Sequence, residues 1–323
     1  MNAGARLGVY AAGLALAFAA AFGIAGVVVP DSVVAHWKQS AADGHGAHDA
    51  APVTTATQQT YGLSVSASGH VLSPVSAPAA AGEAGELAFQ ILGPDGAPVT
   101  AYTTGHEKDL HLIVVRTDGS LFRHVHPTLD VETGTWSTEW EWEQAGTYRV
   151  FADFVTAGSD ATGVTLSRLV EVEGDFSPVQ AHPHASHEVD GFTVALEGDL
   201  QAGAGSELTV TITRDDQPVT TLEPYLGAFG HLVALREGDL AYVHVHADGE
   251  DPRPGDTAGP TIGFHTEAPS SGRYFLYLDF QVDGQVRTAQ FVLDAAAGTV
   301  ASHVTNATPT SDSSPAGSHG DDH

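Results

Sequence analysis

The chain has 323 residues, room for two ordinary domains plus tails, and its 36 Gly, 17 Pro and only 16% charged residues suit a turn-rich all-β protein better than a helical one. Forty Asp and Glu against 12 Lys and Arg, a formal net charge of −28, exclude nucleic acid as a partner, because such a surface repels phosphate backbones. The absence of Cys and a single Met, Met1, exclude disulfides and soft-sulfur metal sites.

Gly8 to Val29 form an apolar run of 22 residues without a charge, long enough to cross a bilayer as a helix. Arg6 and the α-amino group precede the run, and Pro30, Asp31 and an acidic stretch follow it. This asymmetry predicts an uncleaved anchor over 1–30, with the N-terminus in the cytoplasm and the bulk of a single-pass cell-membrane protein outside. Small residues at Ala19 to Ala21 make a cleaved signal peptide the alternative. Residues 31–59, rich in Ala, Thr, Gln and His, read as a flexible stalk, and 299–323 as a disordered tail.

An internal repeat lies between them. Glu86-Leu87 through Pro98-Val99-Thr100 matches Glu207-Leu208 through Pro218-Val219-Thr220. HLIVVRTDGSLFRHVH (111–126) matches HLVALREGDLAYVHVH (231–246) without a gap, and AGTYRVFADF (145–154) matches SGRYFLYLDF (271–280). The organisation expected is a first repeat over 60–176, a His-containing linker over 177–187 and a second repeat over 188–298. Short apolar runs such as ELTVTIT and RYFLYLDF, separated by Gly, Pro and Asp, predict strands. The fold class is therefore all-β: two tandem immunoglobulin-like β-sandwich domains after an N-terminal transmembrane helix. Trp136, Trp140 and Trp142 read as one packed face of a strand, and Tyr148 and Tyr274 as Greek-key corner residues.

Histidine carries the chemical signal. In the first repeat a turn at Asp118-Gly119 sets His111 opposite His126, and a turn one residue earlier sets it opposite His124. His124 and His126 are two apart, so either register gathers three imidazoles on one face. His231, His244 and His246 are the counterparts in the second repeat. Counting back from Gly146 and Gly272, Glu139 takes the place of His265, so Glu139, with His106 nearby, and His265 are further candidate ligands. Neutral imidazole suits Cu(II) or Zn(II). The alternatives are structural His at the edge of a core that includes Ile113, Val115 and Phe122, or a pH-responsive surface. A three-His site with an open position supports hydrolysis in principle, but no acid/base, nucleophile or cofactor motif accompanies it. His45, His48, His182, His184, His187, His319 and His323 lie in acidic segments and read either as weak metal-collecting tracts or as solvated linker.

PYLGAFGHLVALREGDLAYVHVH (224–246) followed by GFHTEAPSSGRYFLYLDF (263–280) resembles actinobacterial secreted or membrane-anchored proteins with YtkA-like or FixH-like immunoglobulin-type domains, some labelled heavy-metal-binding. The resemblance is closest over the second repeat. It implies an extracytoplasmic sandwich with a metal-related role, and maps an HxH ligand pair onto His244 and His246, and through the repeat onto His124 and His126. The function expected is a non-enzymatic, membrane-anchored copper or zinc protein that buffers, senses or delivers the ion to a transporter or oxidase. A protein-interaction or scaffold ectodomain with structural His is the alternative.

Overall fold

The computed structural model describes residues 61–158, 161–243, 245–253 and 255–297. The expected anchor, stalk and tail lie outside these residues. Among the described residues no helix is long and apolar enough to cross a membrane.

The first repeat contributes β1 (Ser66–Ala67), β2 (His70–Leu72), β3 (Ala84–Leu92), β4 (Tyr102–Thr103), β5 (Leu110–Arg116), β6 (Arg123–Val125), β7 (Thr128–Asp130), β8 (Thr135–Glu141), β9 (Gly146–Thr156) and β10 (Gly163–Val172). The second contributes β11 (Ser186–Val189), β12 (Phe192–Glu197), β13 (Gly205–Arg214), β14 (Gln217–Pro218), β15 (His231–Arg236), β16 (Tyr242–Val243), β17 (Val245–Ala247), β18 (Thr261–Glu267), β19 (Gly272–Val282) and β20 (Gln285–Ala295). Each repeat is a sandwich of two antiparallel sheets. The orders are β1-β2-β3-β8-β7 over β10-β9-β5-β6, and β11-β12-β13-β18-β17 over β16-β15-β19-β20. That is the immunoglobulin arrangement of an A-B-E-D sheet against a G-F-C-C′ sheet. The Tyr148 hydroxyl donates to Gln144 O at 2.7 Å and Tyr274 to Ser270 O at 2.8 Å, the corner bond expected at the start of the F strand. Between the repeats, His184 pairs through its backbone with Val292 of β20, and Ser186 already opens β11, so the His-containing segment lies along the second sandwich.

Alternation explains the A-B-E-D sheets. In β13, Ser206, Leu208, Val210 and Ile212 turn inward while their neighbours face outward. In β8 Trp136 and Trp140 turn inward, and Trp142 just after the strand is buried in the same core. The strand β5 does not alternate: all seven of its residues are buried. Leu110, Leu112 and Val114 enter the core of their own sandwich, while Ile113 and Val115 enter a third core shared with Val233, Leu235, Phe275 and Tyr277 of the second repeat. The G-F-C-C′ sheets of the two repeats thus pack face to face, and LHLIVVR and HLVALR read as continuous apolar runs because both their faces are covered.

The pairing across this seam is reciprocal. Phe122 of the first repeat stacks on Tyr277 of the second at 3.9 Å between centroids, and Tyr242 of the second meets Phe151 of the first at 5.7 Å. These are equivalent positions exchanged, the signature of a two-fold-like contact. The hairpin turn of the first repeat also docks here. Gly119 has φ +79°, and a Cβ built on it would lie 2.6 Å from the Phe275 ring, so only glycine fits. The Tyr277 hydroxyl donates to the Gly119 carbonyl.

If the seam is part of one cooperative structure, Phe122→Ala lowers unfolding free energy in urea by about 3 kcal/mol. A loss below about 0.5 kcal/mol, the range of surface substitutions, shows that the aromatic stack does not hold the repeats together.

Candidate metal centre

The β5–β6 pairing is Leu112↔Val125, Ile113↔His124 and Val114↔Arg123. Continued by one pair, this register sets His111 opposite His126, the outcome of a turn at Asp118-Gly119. All three imidazoles project from the seam face, at the rim of the shared apolar core. His111 Nδ1 lies 3.1 Å from His124 Nε2 and 3.2 Å from His126 Nε2. From the second repeat, His231 brings its ring parallel to that of His111, 5.8 Å away, and 5.3 Å from His124. His111, His124 and His231 each offer one nitrogen within 4.8 Å of the others.

The outer partners fix the tautomers. His111 Nε2 is 3.1 Å from Gly105 O, which only accepts, so this nitrogen carries the proton and Nδ1 is bare in the neutral ring. His124 Nδ1 donates to Asp279 Oδ2 at 2.8 Å, which leaves Nε2 bare. Whenever both rings are neutral, two lone pairs face each other across 3.1 Å. Only a proton or a cation between them makes the approach favourable. Ligands at about 2.0–2.1 Å from one tetrahedral ion lie about 3.3 Å apart, close to the two observed separations. A ligating imidazole commonly passes its other N–H to a carboxylate or backbone carbonyl, the two roles filled here by Asp279 and Gly105.

The remaining candidates separate. His106 sits beside the cluster, its ring 5.5 Å from His231 and 6.1 Å from His111. It occupies a tight turn closed by reciprocal Gly105 and Lys108 backbone bonds, with φ +48° at His106 and +63° at Glu107. Side chains in this left-handed region cost about 1–2 kcal/mol each. The equivalent turn of the second repeat has Leu226 and Gly227 there, so at this turn the first repeat has an imidazole and the second has none. A cavity of about 150 Å³ opens beside His111, lined by His106, Lys108, Asp153 and Phe154 among others.

The expectation of a matching trio in the second repeat needs correction. β16 leaves β15 after Val243, and by Val245 the chain has crossed to pair with β18. In the first repeat Val125, the counterpart of Val245, still pairs with β5. The earlier crossing carries His246 to the outer sheet, exposed and in register with His265. His244 lies outside the described residues. His265 Nδ1 lies 2.5 Å from Asp248 and Nε2 3.2 Å from Glu207; carboxylates on both nitrogens favour the charged ring and raise its pKa. Glu139 is not brought to the cluster either. With Trp136 and Trp140 inward on β8, Glu139 faces outward on the sheet across the sandwich from the seam, opposite Glu86. The residue missed from sequence is Asp279, only 3% exposed, which also accepts from Thr288 Oγ1 at 2.6 Å. Its counterpart Asp153 accepts from Thr165 in the same way. The signal was available: an acidic residue recurs inside the apolar runs FADF and YLDF of both repeats.

Burial favours the neutral form of His111, His126 and His231. It lowers the His111 pKa to about 4 and that of His126 to about 3, with neighbouring His adding to the effect, and it pushes His231 well below its ordinary value. An unfolded imidazole takes up its proton at about 6.5. Between that pH and the folded values the unfolded state binds more protons, so the metal-free protein loses stability as pH falls from about 6.5 toward 4. Melting of the chelator-treated chain at about pH 7 and about pH 4.5 will show this fall, and a His111→Gln/His126→Gln variant will show a shallower one. Equal slopes in the two proteins place the acid lability elsewhere.

No curated protein matches the chain. Among solved structures, domains 4 and 5 of the S-layer protein SbsC are 11% identical, with 66% of this chain and 80% of that one covered at a TM-score of 0.22. The Escherichia coli adhesin FdeC is 16% identical, with 70% and 64% covered at 0.21, and a marsupial T cell receptor is 12% identical, with 72% and 73% covered at 0.20. TM-scores this low carry no assignment of fold or role, and the immunoglobulin arrangement rests on the strand order itself. A family described as a domain of unknown function, DUF8832, matches residues 65–172 and 187–297, once per repeat and over more than half of the chain; the chain belongs to that family.

Proposed function

We propose that this is a non-enzymatic metal-binding protein that holds one Cu(II) or Zn(II) ion in the seam between its two repeats. The supporting observation is the approach of His111 Nδ1 and His124 Nε2 to 3.1 Å while Gly105 and Asp279 occupy their other nitrogens. In this reading His111, His124 and His231 are the primary ligands, with His126 beside them. His106 lines the cavity by which the ion reaches the site. His244, as the sequence counterpart of His124, completes the proposed set. A site closed by several imidazoles stores or hands over an ion rather than activating water, which supports buffering, sensing or delivery over hydrolysis.

The apolar run Gly8 to Val29 extends the proposal to place. The protein is anchored by this segment with its repeats outside the cytoplasm, positioned to exchange the ion with a membrane transporter or oxidase.

The test is metal retention by the full chain, purified in detergent, incubated with Cu(II) or Zn(II) and desalted. One ion per chain is expected. A His111→Ala/His124→Ala/His231→Ala variant should lose it, while Glu139→Gln and His265→Ala should keep it. A folded wild-type protein that retains none sinks the proposal and leaves a scaffold with structural His. Two ions per chain, one lost with His265, would restore separate sites.

A further inference from the structure

The seam holds a carboxylate where an apolar core tolerates none without cause. Asp279 is on β19 of the second repeat, 3% exposed, and its neighbours Leu278 and Phe280 are fully buried. Within its own repeat it stands opposite His231 in the β15–β19 register and accepts from Thr288 through Oδ1 at 2.6 Å. Its other oxygen crosses the seam to His124 Nδ1 of the first repeat at 2.8 Å, and the side chains of this pair are 4% and 1% exposed. A buried, hydrogen-bonded pair of this kind is costly to desolvate, so its retention calls for a role beyond stability.

We propose that Asp279 is the positioning residue that makes His124 a metal ligand, so that the second repeat sets the protonation pattern of a nitrogen supplied by the first. This rests on the metal-site reading. The carboxylate takes up the Nδ1 side of the ring and leaves Nε2 aimed at His111 Nδ1. Thr288 orients the carboxylate by occupying its other oxygen. The second repeat gives the site both a ligand, His231, and the residue that prepares a ligand on the opposite side. Neither repeat holds the arrangement alone.

Asp279→Asn in the full chain removes the charge and keeps an oxygen that accepts from Nδ1–H. Competition with a chromophoric chelator should show Zn(II) affinity reduced about 10–100-fold, with the melting temperature of the metal-free protein close to wild type. An Asn that binds Zn(II) as tightly as wild type overturns the role of Asp279 and leaves the site intact. A wild-type chain that binds no Zn(II) fails the underlying reading instead. Nitrogen NMR of the metal-free wild type, with 15N-labelled histidine, tests the tautomer without any substitution. A proton on His124 Nδ1 is expected; a proton on Nε2 overturns the proposal even where Asp279→Asn fails to fold.

Discussion

Everything distinctive in this molecule follows from two sheets meeting on faces that an isolated sandwich exposes to water. Ile113, Val115 and Phe122 of one repeat and Val233, Leu235 and Tyr242 of the other form a single buried apolar cluster. The stack of Phe122 on Tyr277 adds about 0.5–1.5 kcal/mol beyond the area it buries. Once those faces close, any polar group at their rim must find a partner inside the protein. The rim is where His111, His124, His126 and His231 stand; Gly105 takes up one nitrogen of His111 and Asp279 one nitrogen of His124.

The seam is symmetric in its apolar part and asymmetric in its polar part. Phe122 and Tyr242 exchange equivalent partners. Yet the first repeat keeps its return strand in the hairpin through Val125, while the second has already passed to the opposite sheet at Val245. The equivalent turns diverge as well, with His106 on one side and Leu226 on the other. Duplication supplied two similar surfaces, and small shifts in where the strand crosses concentrated the described imidazoles on one of them.

The fold was largely legible in the sequence, because period-two patterning and the repeat report directly on strands buried on one face. The tyrosines at 148 and 274 and the tryptophans of β8 sit as the pattern implied. The trio His111, His124 and His126 was legible for the same reason: residues two apart on a hairpin share a face. The inter-repeat seam was not read, although HLIVVR and HLVALR announce strands covered twice by their lack of alternation. His246 and Glu139 were misplaced for separate reasons. Alignment transfers residue identity but not the point where a strand changes sheets, and a position counted from a turn does not say on which side of the sandwich its side chain lies.

The bond from Asp279 to His124 joins residues 155 positions apart in one chain. Two separate subunits with these faces would have to find each other, and the occupancy of their seam would rise and fall with dilution. Carried on a single polypeptide, the two halves meet at the high effective concentration that a short connection imposes. The seam therefore assembles as a first-order process, as complete in a sparse protein as in an abundant one.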